Sequence, residues 1–245
     1  MRYIDLANLL RKRASWGNGS KLWENKALKE DFRQYSYCKC WYTEVTMRGS
    51  DTPIDHRRPK AEIKQYKHYN FNKPLKTKGY YWLANDPSNY RLCCTYANRL
   101  TGDGGKSCFF PLSNTSDYLT ANGTETETPL LLDPCNKDDV KLVSFLRANI
   151  VPATTDPTEQ ERVKVSSDIY NMNDFYIKIG RQKIWDEVER IIDMYFSRHI
   201  NQYACVELLK DKIKRDAEFS ACAIACVNSL APKEITDQLG SLLDL

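Results

Sequence analysis

With 245 residues, 42% of them hydrophobic and 28% charged, the chain is long enough to bury a core and too polar for a membrane protein. No stretch approaches the roughly 20 apolar residues of a membrane span, and Met1-Arg2-Tyr3-Ile4-Asp5-Leu6 opens no signal peptide, so no membrane contact and a cytoplasmic location are expected. The net charge of +4 conceals an asymmetry: residues 1–80 hold 18 Lys/Arg against 8 Asp/Glu, a balance of +10 that leaves −6 for the rest. A front end that attracts polyanions suits nucleic-acid chemistry there and another task behind it. Nine cysteines, odd in number and scattered, disfavour a secreted disulfide framework.

In chain order, residues 1–36 read as a helical arm. Ile4, Leu6, Leu9 and Leu10 give one apolar face, Gly17-Asn18-Gly19-Ser20 a turn, and Leu22, Trp23, Leu28 and Phe32 resume the helical spacing, with Trp23 and Phe32 as core anchors. Tyr37 to Thr46, rich in aromatic and β-branched residues, predicts a strand. Met47 to Pro53 supplies a turn, so Ile54-Asp55-His56 is expected as the return strand of a hairpin. Residues 61–79 predict a basic loop or short helix, and Gly79 to Leu83 an apolar stretch beneath the site. A short helix is expected from near Cys94 to the glycines at 102–105, then a surface excursion from Ser113 to Pro129 and a short buried strand at Leu130–Leu132.

After Pro152 the pattern turns helical. Asp156, Pro157 and Glu159 stand at N-cap, N1 and N3 of one helix. Ile184, Val188, Ile191, Ile192 and Tyr195 line another, and Cys205, Leu208, Leu209 and Ile213 a third. A further helix is expected over Ala217–Val227, with Cys222 and Cys226 as buried structural thiols, and a last one from Pro232. The fold class is α+β, in three segments: 1–36, 37–151 and 152–245.

The chemistry concentrates in Ile54-Asp55-His56-Arg57-Arg58-Pro59-Lys60, read with Asn89 and Asn98. Asp55 offers a hard oxygen ligand, His56 a base of near-neutral pKa, and a basic cluster follows at once. Hydrolysis of a phosphodiester needs an activated water and charge neutralisation at the phosphate. A divalent ion, Mg2+ or Mn2+, on Asp55 and Asn98 would supply the second, with His56 as the base. Arg57, Arg58, Lys60, Arg99 and Lys106 are the expected nucleic-acid contacts. The substrate is DNA or tRNA, since a grip on phosphates is blind to the base.

The order Asp-His, then Asn, then Asn nine residues later resembles an HNH (ββα-metal) nuclease site. Further matches follow in order: Tyr81-Trp82-Leu83-Ala84, Cys94 to Asn98, Lys106, Phe110-Pro111-Leu112 and Leu131-Leu132-Asp133-Pro134-Cys135. Together they resemble, over about residues 35–145, the PtuB family of bacterial HNH proteins from Septu-type and retron-associated antiphage systems. The resemblance implies a ββα-metal nuclease core between a helical arm and a C-terminal helical region. It also implies Asn89 fixing the loop around the base, and a PtuA-like ATPase partner, which residues 152–245 are expected to dock. A catalytically inactive binding subunit of the same fold is the alternative.

One departure from the family concerns zinc. Its two Cys-x-x-Cys pairs correspond here to Cys40-Trp41-Tyr42-Thr43 and Cys94-Thr95-Tyr96-Ala97, leaving two thiolates of four. Cys38, Cys93 or Cys108 could substitute only at an unusual spacing. No structural zinc is expected, with Cys40 and Cys94 as packed neutral thiols and the aromatics as staples.

Overall fold

The structure, a computed structural model, describes residues 1–47, 53–67, 69, 78–99, 105–113 and 117–245. It is an α+β arrangement in which helices precede and follow, in chain order, two small antiparallel sheets. The arm carries α1 (Leu6–Leu10) and α2 (Lys26–Tyr35). Asn25 caps α2 by accepting from Leu28 N at 2.9 Å, and its amide donates to Trp16 O, which sets the angle between the two halves of the arm. Leu28 and Phe32, four residues apart, form the buried face of α2. Phe32 stacks on Trp41 at 5.2 Å and meets Trp16 at 5.8 Å, so it is the anchor the spacing predicts.

Tyr37–Thr46 is not the predicted strand. It makes one bridge, Lys39 to Thr46, around a tight turn, and Tyr37, Cys38 and Glu44 take positive φ of 55°, 58° and 62°. No strand tolerates those angles. Trp41 and Tyr42 are both buried and stack away from each other, Trp41 on Phe32 and Tyr42 on Tyr170 at 3.8 Å. The predicted hairpin is therefore replaced: β1 (Ile54–His56) pairs with β2 (Tyr90–Leu92), in the register Ile54–Leu92, Asp55–Arg91, His56–Tyr90. Most of the turn at 47–53 lies outside the described residues.

Helix α3 (Thr95–Asn98) follows β2 after Cys93 and Cys94. It ends at Asn98, while the glycines 102–104 proposed as its stop, and most of 68–77, lie outside the described residues. Leu130–Leu132 is buried as predicted but forms no strand, only a bridge from Pro129 to Leu112. After α4 (Lys137–Lys141) the sequence reading missed a hairpin, β3 (Val143–Leu146) and β4 (Asn149–Pro152). Its turn, Arg147-Ala148, holds Arg147 at φ 52° without the Gly or Asn that would signal it.

The C-terminal helices are α5 (Pro157–Ile169), α6 (Phe175–Phe196), α7 (Gln202–Ile213), α8 (Ser220–Leu230) and α9 (Lys233–Leu239). Asp156 caps α5 by accepting from Glu159 N at 2.9 Å, as its sequence predicts. Helix α8 begins three residues later than expected, because Phe219 takes a left-handed φ of 54°. It is buried on almost every side between α6 and α7, and the Cys222 and Cys226 thiols donate to the Arg181 and Trp185 carbonyls of α6.

All three segments contribute to one hydrophobic core. Polar ties cross it too. Glu44, 3% exposed, accepts from Ser220 Oγ and Ala221 N at the start of α8, both at 3.1 Å, and pairs with the Met1 ammonium at 3.5 Å and Lys39 at 3.8 Å. A carboxylate suits that helix end, where free N–H groups and the helix dipole both favour negative charge. Glu44→Gln is expected to destabilise the protein by about 3–5 kcal/mol, because it leaves buried ammonium groups uncompensated. Chemical denaturation checks this against the exposed Glu24→Gln, for which no change is expected.

Candidate nuclease site

Strand β1 is three residues long and buried throughout, and its two polar side chains lead to opposite sides, as neighbours on a strand must. Asp55 Oδ1 accepts from Lys106 Nζ at 2.7 Å, and Oδ2 from the Tyr42 hydroxyl at 3.4 Å. Lys106 is fully buried and also donates from Nζ to the His56 carbonyl. Its backbone is pinned to the end of α3: Lys106 N donates to Ala97 O at 2.9 Å and Ser107 N to Asn98 O at 2.7 Å. Gly105, at φ 108°, supplies a turn that only glycine adopts freely.

His56 lies on the other side. Its Nε2 is 3.0 Å from Ala84 O, which can only accept, so Nε2 carries the proton and the neutral ring keeps its lone pair on Nδ1. Trp23 and Tyr90 hold the ring edge-on, each with centroids at 5.1 Å. Burial first, then the charge of Lys60, pushes the His56 pKa down to about 4 against the pull of the Ala84 carbonyl. At neutral pH His56 is uncharged.

Asn89 closes a one-turn 3-10 segment, Pro87–Asn89, and is buried. Its Oδ1 accepts from Arg58 N at 2.8 Å and its Nδ2 donates to Arg58 O at 3.0 Å, while its own carbonyl accepts from Arg57 N at 2.8 Å. The amide thus pairs with both backbone groups of one residue and fixes the chain leaving His56. Asn98, half-buried at the end of α3, joins the group through its neighbours, since Lys106 bonds both Ala97 and Asp55.

The basic residues are spent largely inside the protein. Arg57 pairs with Asp133 at 3.0 Å, and Arg91 makes a two-pronged contact to the same carboxylate at 2.7 and 2.6 Å. These two guanidiniums hold Asp133 well below the usual carboxylate range, overcoming the opposite effect of burial. Arg58 donates to Glu127 at 2.6 Å, which also takes the Tyr80 hydroxyl. Lys60 Nζ lies 3.3 Å from the Trp23 ring centroid, a close cation–π contact. Arg99 stands at the surface.

Sequence reasoning missed Tyr42, Trp23, Asp133 and Glu127 as parts of this site. Asp133 sat in a matching stretch without a role, and Trp23 carried a core signal only. Glu127 had no signal at all, lying in a Thr-rich stretch read as a surface excursion.

Beside the site, hydrogen bonds from Cys93, Cys94 and Thr43 converge on Cys40; against burial, which raises it, they lower the Cys40 pKa. The bond to Cys40, with burial, raises that of Cys94. Three sulfurs and a threonine hydroxyl are one ligand short of the four that a structural, tetrahedral zinc takes from the protein. Among the described residues no group of three or more His, Cys, Asp or Glu is arranged to hold a metal. For Mg2+ or Mn2+ the chemistry of Asp55 and Asn98 fits, a carboxylate and an amide oxygen being hard donors. On Asp55 Oδ1, however, the Lys106 ammonium lies where a cation would lie. A cavity of about 650 Å³ opens elsewhere, between α5 and β4, and none of these residues lines it.

The chain is similar to Septu protein PtuB of Bacillus mycoides. The two are 27% identical over 169 residues, 68% of this chain and 54% of PtuB, so the chain spans about half the length of that curated relative. The matched length exceeds the interval 35–145 and therefore takes in part of a flanking helical region. No protein-family model matches the chain.

Two outcomes are expected from the site. His56 contributes stability that is complete above its unfolded pKa of 6.5 and is lost as pH falls toward 4. The melting temperature should therefore drop between about pH 7 and 5, this residue contributing up to about 1.4 kcal/mol per pH unit, with a shallower drop in His56→Gln. Equal slopes would mean that His56 titrates normally in the folded protein. Elemental analysis is expected to find substoichiometric zinc, with the fold surviving a chelator, whereas one tightly bound zinc per chain would contradict the donor count.

Proposed function

We propose that the chain is a metal-dependent endonuclease of the HNH, ββα-metal type. In this reading it cleaves phosphodiester bonds of DNA or tRNA as the effector of a Septu-like antiphage system, beside a PtuA-like ATPase. The observation that carries the reading is the neutral His56, held by Ala84 with a lone pair on Nδ1, next to Asp55 on a strand pair that leads into α3. The similarity to Septu protein PtuB supports the same assignment.

In the proposed reaction His56 Nδ1 takes a proton from water, the resulting hydroxide attacks phosphorus, and the bond to the 3′ oxygen breaks, that oxygen leaving with the bonding pair and taking up a proton from solvent water. Asp55 and Asn98 would hold Mg2+ or Mn2+, which when bound supplies charge neutralisation at the phosphate. Asn89 keeps Arg57 and Arg58 in place beside the base, and Trp23 with Tyr90 keeps the imidazole from turning. Lys60, whose ammonium packs on the Trp23 ring, and the surface-exposed Arg99 are the first candidates to meet the phosphate backbone.

One observation favours the alternative, a binding subunit that does not cut: Asp55 is 3% exposed and already paired with Lys106. Incubating the protein with supercoiled plasmid or tRNA and Mg2+ or Mn2+ separates the readings. Cleavage that falls by about 10²–10⁴ in His56→Ala supports the nuclease. Equal turnover by that variant would remove His56 from the mechanism, and no cleavage by wild type, with its ATPase added, would favour the binding subunit.

A further inference from the structure

We infer that Lys106 is the resident cation of the site, and that its ammonium and a divalent ion exclude each other from Asp55, so that the site is closed until Lys106 withdraws. The inference rests on the metal-site reading above and adds to it a residue that must move.

Three features carry it. A carboxylate as buried as Asp55 needs a positive partner, and the Lys106 ammonium at 2.7 Å is that partner, itself fully buried. An ammonium in contact with Oδ1 and a dication on the same oxygen repel each other at close range, where little water screens them. The second bond of Nζ, to the His56 carbonyl, ties the same ammonium to the backbone of the proposed base, so its departure loosens both site residues at once.

The backbone around Lys106 suits a segment with two positions. Gly105 at φ 108° and Ser107 at φ 43° place left-handed residues on both sides of it, and Ser107 pays the steric cost of that region without being a glycine. Lys106 is thus held between two unusual backbone angles, fastened at one end by Ala97 and Asn98 and at the other by Asp55. Withdrawal of the side chain breaks its two Nζ bonds and leaves the two backbone bonds to α3 in place, so Asn98 need not move with it.

The test uses the full-length protein and Mn2+ as the probe. Lys106→Met is expected to bind Mn2+ about tenfold or more tightly than wild type by electron paramagnetic resonance titration, with the gain lost in the double variant Lys106→Met, Asp55→Asn. Without metal Lys106→Met should melt below wild type, and Mn2+ should recover more of its melting temperature than it adds to wild type. Should Lys106→Met fail to fold, wild type alone decides: acetylation read by peptide mass spectrometry should find Lys106 protected without metal and labelled in saturating Mn2+, with the exposed Lys137 as control. Equal or weaker Mn2+ binding by Lys106→Met, or unchanged protection of Lys106 in wild type that has bound Mn2+, overturns the inference while leaving the metal site standing. No Asp55-dependent Mn2+ binding by either protein overturns the metal site and the inference with it.

Discussion

The Asp55 carboxylate lies almost wholly out of water, and it can do so as an ion only because Lys106 carries a positive charge into contact with it. Satisfying that single requirement shapes the middle of the molecule. Lys106 reaches Asp55 because its backbone is pinned to α3, α3 follows β2 after only Cys93 and Cys94, and β2 pairs with the strand that bears Asp55. The circuit closes on itself. The same logic recurs around it, with Asp133 taking Arg57 and Arg91, Glu127 taking Arg58 and Tyr80, and Glu44 taking Lys39 and the start of α8. Each buried carboxylate draws partners from distant parts of the chain, so these ties hold segments together that have few strands to do so.

Much of this was legible in the sequence where the signal was local. Asp55 and His56 stand out as candidates by residue type and adjacency, Asn89 through the family resemblance, and α5 was legible because its caps sit in four consecutive residues. The partner of β1 was not legible. Tyr37–Thr46 has the composition of a strand, but Trp41 and Tyr42 are both buried by stacking on opposite partners, an arrangement that a period of two does not encode. Charge was legible and its use was not: Arg57 and Arg58 read as a phosphate-facing patch, whereas Asp133 and Glu127, some seventy residues on in sequence, meet them inside the fold.

The helical region bears directly on the site. Tyr170 stacks on Tyr42, which donates to Asp55; Gly105 N donates to Ile169 O; Asn171 donates to Tyr96 O and Tyr96 to Asp174. The connection between α5 and α6 thus touches the segments that carry Asp55, Asn98 and Lys106. A partner that gripped α5 or α6 would lie within one or two contacts of all three.

Nuclease chemistry of the proposed kind requires Asp55 to be a metal ligand. Diffraction from crystals of the full-length protein soaked in Mn2+, recorded for anomalous scattering, answers this directly. The predicted result is one strong peak in contact with the Asp55 carboxylate and near Asn98, with Lys106 Nζ no longer on Oδ1. Saturating Mn2+ that binds only elsewhere, with Lys106 still in contact with Asp55, would contradict it.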